Sequence, residues 1–262
     1  MSDSPIHRRI WLVAVVALMV AGCAGATTPS GPPAGSTGSA ATPTTSPVAV
    51  APTALRTPPA TPDPLQSACE QGCQGRIAPG AFTSAVFMPG LRLTFGDDKW
   101  FNTADHGLEL QFDQLPSMEN VLRFWIDPKA STKTDEAITT VPVTPEALTA
   151  WMVGNKDMVV SKPEAVAIGD GIPATTFTVQ ISDSSKNVDP GCPVRSCLSF
   201  LWVAQGHTFA IGVPESVRLY LFPIGSGSQA HTVVISLDAP DPTRLTEMTT
   251  DVAAILKGIR IP

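Results

Sequence analysis

Leu91-Arg92-Leu93-Thr94-Phe95, the turn Gly96-Asp97-Asp98, and then Leu108-Glu109-Leu110-Gln111-Phe112 set apolar and polar residues in alternation. A period of two is the mark of half-buried strands, with one face on a core and the other toward water. Val121 to Ile126 continues the series. The same alternation returns after a gap in Met158 to Val160, Ala165 to Ile168 and Thr175 to Ser182, where Phe177, Val179 and Ile181 share a side and Gly169-Asp170-Gly171 supplies the turn of a hairpin. Leu198 to Ala204, His207 to Val213, Val217 to Phe222 and Thr232 to Leu237 complete the predicted strands.

Two segments break the pattern. Thr144-Pro145-Glu146 offers a capping hydroxyl, a proline where no N–H is needed and an acid at the positive end of the dipole, so a helix starts there. Leu148, Trp151 and Met152 fall on one face before Gly154-Asn155 closes it. Asp241-Pro242 opens a second helix with Leu245, Met248, Val252, Ile255 and Leu256 at helical spacing, stopped by Gly258. The fold class predicted is α+β, a largely antiparallel sheet with two or more packed helices.

Thr144 to Met152, then Asn155-Lys156-Asp157-Met158-Val159-Val160-Ser161 and Val166-Ala167-Ile168-Gly169-Asp170, are similar to a family of uncharacterised secreted bacterial lipoproteins. There, a helix with a proline start and a Trp-Leu end leads into Asn-Pro-Asp-Leu-x-Val-Ser and Val-x-Val-Gly-Gly. Lys156, Met158 and Asp170 depart from that pattern, and the likeness covers most of residues 80 to 262. The order of an early strand, a turn before Trp100 and a closing helix also resembles the PsbP-like sheet-and-helix fold. That resemblance implies architecture and carries no activity.

The beginning of the chain has a different character. His7, Arg8 and Arg9 precede an uncharged run from Ile10 to Ala21, about a dozen residues and so too short for a membrane span, which takes roughly twenty. A basic start followed by a short apolar run is the layout of a secretory signal. It ends in Met19-Val20-Ala21-Gly22-Cys23, which resembles the lipobox of bacterial lipoproteins. Residues 1–22 are thus expected to be a cleaved signal peptide and Cys23 a lipid-attachment site, since two or more acyl chains make a stable anchor. The resulting location is the outward face of a cell membrane.

From 23 to 68 nearly every residue is Ala, Pro, Thr, Ser or Gly, a composition unable to bury enough apolar surface to order itself. A disordered stalk spanning roughly 35 Å is expected. Residues 69–262 form the globular domain, long enough for one sizeable core. The chain carries 17 Lys and Arg against 23 Asp and Glu, a formal net charge of −6. With no clustered basic face, nucleic acid is excluded as a partner.

Four cysteines remain after Cys23. In an exported domain Cys69, Cys73, Cys192 and Cys197 imply two disulfides. Local pairs would constrain the unfolded chain by roughly 2 kcal/mol each, against roughly 5 for a bond between the two segments. The expected pairs are Cys192 with Cys197 and Cys69 with Cys73, with the crossed arrangement as the alternative. Metal and thiol-redox uses are disfavoured by the spacing and by an oxidising exterior.

No catalytic motif is present. Gly225-Ser226-Gly227-Ser228-Gln229-Ala230 superficially matches a dinucleotide turn but leads into the strand Thr232-Val233-Val234-Ile235, so it reads as a hairpin loop. Asp97-Asp98 reads as a tight turn, and His106, beside Asp105 in an expected loop, His207 and His231 form no metal-binding spacing. Trp100 and Trp125 are weak candidates for lining a ligand groove; with Trp151 and Trp202 they equally suit a small core. No catalytic residue, metal ligand or cofactor is assigned. The function expected is a membrane-anchored binding or interaction module for an envelope protein, glycan or lipid. The alternative is a cell-envelope hydrolase, which requires Asp97, Asp98, Asp105, His106 and His207 to converge.

Overall fold

The computed structural model describes residues 74–185 and 197–262. The expected signal peptide, Cys23, the stalk, Cys69, Cys73 and Cys192 lie outside the described residues. Those described fall in one compact unit.

In chain order the elements are Gly75–Arg76 (β1), Gly80–Thr83 (β2), Arg92–Phe95 (β3), Trp100–Asp105 (β4), Glu109–Gln114 (β5), Val121–Ile126 (β6), Lys129–Lys133 (β7), Glu136–Ala137 (β8) and Pro145–Gly154 (α1). Met158–Val160 (β9), Glu164–Ile168 (β10), Ile172–Ile181 (β11), Cys197–Ala204 (β12), His207–Gly212 (β13), Ser216–Ile224 (β14), His231–Ala239 (β15) and Pro242–Lys257 (α2) follow. A nine-stranded sheet runs β1-β4-β5-β6-β15-β14-β11-β10, with β9 also paired to β11. Its pairings are all antiparallel. A second sheet runs β13-β12-β7-β8, and β2 pairs with β3. The α+β expectation therefore holds in its coarse form, in a molecule that is mostly β.

Alternation along the strands divides the large sheet into two cores. Leu110, Phe112, Leu122, Phe124, Ile235 and Leu237 point to one face, where Leu245, Met248, Val252, Ile255 and Leu256 of α2 and Phe82, Leu93 and Phe95 of the β2–β3 hairpin cover them. Trp125, Phe177, Val179, Leu219 and Val234 point to the other, under Leu148 and Met152 of α1 and Leu198, Phe200 and Leu201 of the second sheet. Fully burying one such side chain stabilises by roughly 1.5–3 kcal/mol.

The helix ends obey their capping chemistry. The Thr144 hydroxyl accepts from the Ala147 N–H at 3.2 Å, and Asp241 accepts from Thr243 and Arg244 at 2.8 and 2.9 Å. Gly258 follows α2 and donates back to Ala254, 3.0 Å away. Between β14 and β15, Gly225 sits at φ 70°, where a Cβ would run into the carbonyl oxygen of Gln229. These strands pair directly across that loop, making it the hairpin connection expected.

β4 differs from the expectation of a loop at Asp105. All six residues of Trp100–Asp105 are buried, so no polar-out alternation marks the strand. A register shift between Asn102 and Ala104 adds a bulge. The Asn102 amide fills it, donating to the carbonyls of Ala104 and Gln111 at 2.8 and 2.9 Å.

Candidate functional site

β5 and β6 are paired so that Glu109 lies opposite Trp125 and Gln111 opposite Arg123, all on the α1 side of the large sheet. β15 places Ser236 opposite Arg123 on its other flank. A charged residue is thereby set in the middle of a run, Val121 to Ile126, that is otherwise apolar. Burying a charge is tolerable only when it is paired and hydrogen-bonded. Arg123 meets that condition from three strands. Its Nε donates to Gln111 Oε1 at 2.9 Å and lies 3.3 Å from Glu109 Oε1, Nη1 pairs with Asp238, and the guanidinium stands 5.3 Å from the centroid of Phe209.

The hairpin β12–β13 leans over this cluster. Its Val203, His207, Thr208 and Phe209 join Glu109, Gln111, Arg123 and Trp125 around a cleft of about 190 Å³. Phe209 packs against Trp125, ring centroids 4.7 Å apart, and against Phe200 at 4.9 Å. At the mouth, His106 and His207 meet edge to face at 5.9 Å.

Burial perturbs the charges here. The Glu109 carboxyl is pushed up by desolvation, opposed by Arg123, His106, a hydrogen bond from Trp125, and His207. Asp113 is pushed up for the same reason, opposed by the Gln111 hydrogen bond of 2.8 Å, Arg123 and Thr103. Desolvation lowers Arg123, opposed by Glu109, Asp113 and Glu215. Carboxylates outnumber the single cation, so the floor of the cleft suits a neutral or cationic polar group better than an anion.

The candidates read from sequence are scattered. Trp125 lines the cleft, whereas Trp100, 2% exposed, packs in the other core against Phe95. Asp105 is fully buried and accepts from Ser84 Oγ and from the amides of Ala85, Val86 and Phe87, at 2.8, 2.9, 3.4 and 2.9 Å. Its lone pairs are committed to holding a loop. Asp97 binds the Lys99 ammonium at 3.3 Å in the turn before β4. Asp97 and Asp98 are thus separated from His106 by the whole of β4, about 20 Å at the rise of an extended strand. His231 pairs with Asp127 at 2.6 Å. Of the five hydrolase candidates only His106 and His207 come together as a new pair.

Cys197 is disulfide-bonded; its partner lies outside the described residues. Among the described residues no cluster of three or more His, Cys, Asp or Glu is placed to hold a metal ion, and no helix is long and apolar enough to cross a membrane.

Glu109, Gln111 and Arg123 were not singled out by sequence, because alternation assigns them to a solvent face. The available signal was Arg123 itself, a cation inside a strand whose neighbours are apolar on both sides. The chain matches no family profile and no curated protein.

Proposed function

We propose that this chain is an exported lipoprotein, anchored to the outer face of a cell membrane through Cys23 and carrying on its stalk a binding module whose ligand enters the cleft at Arg123. The cleft carries the binding reading. It combines an aromatic wall, Trp125 and Phe209, with amide, hydroxyl and carboxyl groups, the mixture of apolar lining and a few fixed polar groups that small-molecule sites use. At about 190 Å³ it fits a compact polar group, free or terminating a larger envelope glycan, lipid or protein.

The membrane part of the reading is supported by the segment Met19 to Cys23. Likeness to secreted bacterial lipoproteins supports the same location, and helices on both faces of an antiparallel sheet support the finer PsbP-like assignment. For the full-length protein isolated from membranes of its host, intact mass is expected to show residues 1–22 removed and fatty-acyl mass added. An unmodified chain overturns the anchor. In a thermal-shift screen of that material, neutral or cationic polar compounds are expected to raise the melting temperature, with the rise lost in Trp125→Ala.

A hydrolase is the second reading, favoured by the approach of His106 and His207 beside the raised carboxyl of Glu109. It requires turnover of an envelope ester or glycoside that disappears in Glu109→Gln. Ligand binding without turnover supports the binding module alone.

A further inference from the structure

On the opposite face of the large sheet, α2 covers β15 and β14 but stops short of the edge, leaving a groove of about 480 Å³ between the helix and strands β9, β11 and β14. Its walls are Val159, Val160, Ser161, Thr178, Gln180, Ser216 and Arg218 on the sheet side and Pro242, Leu245, Thr246, Thr249 and Thr250 on the helix. Within this lining Arg218 is the one charged residue, in a chain whose formal net charge is −6.

Arg218 is half-buried, and its hydrogen-bond partner among the described residues is neutral: Nε donates to Thr176 Oγ1 at 3.3 Å. The other two half-buried cations among the described residues, Arg123 and Lys129, are held by an acid or an aromatic ring, and several exposed cations are also paired. Arg123, Lys99, Lys133, Arg244 and Arg260 each have a carboxylate within ion-pair distance, and half-buried Lys129 stands 5.2 Å from the ring centroid of Trp202. A guanidinium drawn partly out of water without an acid has donors to spare, in a planar fork that matches carboxylate and phosphate.

The hydroxyls sort the two walls. Thr246, Thr249 and Thr250 donate to the carbonyls of Pro242, Leu245 and Thr246 at 3.0, 2.7 and 3.2 Å, so the helix wall has oxygen acceptors left to offer. On the sheet wall Ser161 Oγ accepts from the Thr178 amide at 2.9 Å, leaving its own proton as a donor beside Arg218 and Gln180.

We propose that this groove binds a hydroxyl-bearing anion, its carboxylate or phosphoryl group on Arg218 and its hydroxyls donating to the α2 threonines. The site is independent of the cleft at Arg123, which lies on the other face and disfavours anions, so either can fail without the other.

The test is a titration of the full-length chain, followed by amide and Arg side-chain NMR, with inorganic phosphate, acetate, glycerol 3-phosphate and gluconate. Saturable shifts at Arg218, Thr178 and Thr249 are expected, with the hydroxyl-bearing members binding more tightly than the simple anions. Phosphate compounds alone responding assigns a phosphoryl ligand; carboxylates alone responding assigns a carboxylate. Arg218→Gln is expected to weaken binding at least tenfold, while Lys156→Gln, an exposed cation outside the groove, leaves it unchanged. Should Arg218→Gln fail to fold, Arg218→Lys keeps the charge and is expected to weaken binding through loss of the fork. The proposal is overturned if the wild-type chain shows no saturable shifts at the groove, or if Arg218→Gln or Arg218→Lys binds as tightly as wild type.

Discussion

Asp105 and Glu109 stand four residues apart in sequence and show how burial gives one kind of side chain two different tasks. Asp105 is satisfied by one hydroxyl and three amides from the segment after β2. Hydrogen bonds to a charged group contribute about 1.5–3 kcal/mol, and removing the acceptor leaves buried amides unsatisfied. Asp105→Ala is expected to lower unfolding free energy by at least about 3 kcal/mol in a denaturant titration, with no direct effect on the cleft. Glu109 is held against desolvation mainly by Arg123. Because its folded pKa is raised, the native state binds more protons than the unfolded chain between the ordinary carboxylate range and the raised value. Stability contributed by protonation is present at low pH and lost as pH rises through the folded pKa. Cooling of this effect is predicted in Glu109→Gln: its melting temperature should change less between pH 7 and pH 5 than that of wild type, and an unchanged pH profile would contradict the assignment.

At the scale of elements, α2 is the larger cover and the sheet edge the exposed flank. Met248 is fully buried at the centre of the α2 stripe; replacing such a residue by alanine costs about 2–5 kcal/mol through lost transfer energy and the cavity left behind. Met248→Ala should show a loss in that range by chemical denaturation, whereas Thr243→Ala, on the exposed side of the first turn, should lie within about 0.5 kcal/mol of wild type. The opposite flank of the sheet ends at β10, which among the described residues pairs only with β11. Between β9 and β10 the chain reads Ser161-Lys162-Pro163. A lysine and a proline there interrupt what would otherwise be one long edge, a common guard against pairing between molecules. Pro163→Val is predicted to raise self-association, measured as concentration-dependent light scattering, while the wild type stays unchanged over the same range.

For the molecule as a whole, the two cores rest on opposite faces of one sheet, and the sequence disclosed them unevenly. Both helices were legible because their caps are local chemistry: Thr144 and Asp241 at one end, Asn155 and Gly258 at the other. Strands whose apolar residues alternate with polar ones, such as β3, β5 and β11, were legible from alternation, though the polar face of β5 lines the cleft. β4 was not, because burial on both faces erases the period, and β7 and β8, built from Lys-Ala-Ser-Thr-Lys and Glu-Ala, become strands because β7 pairs with β12 and β8 with β7, which no local pattern announces. The cleft was legible only at Trp125. Arg123 acquires meaning from Gln111 and Asp238, partners 12 and 115 positions away, and His106 meets His207 only because β12–β13 folds back over β5. The same long-range closure makes the Cys197 disulfide matter, since it fastens the start of β12; reducing a native disulfide typically costs about 2–5 kcal/mol, and a lowered melting temperature in reductant is expected.

The most direct test of the binding module is a titration of the full-length chain with neutral, cationic and anionic polar compounds, read at the indole N–H of Trp125 and the amides of Gln111 and Thr208. Saturable shifts at these three positions with a neutral or cationic compound, abolished in Trp125→Ala but not in Arg218→Gln, are the predicted result. If no neutral or cationic compound shifts them, or if only anions do, the cleft at Arg123 is not the ligand site.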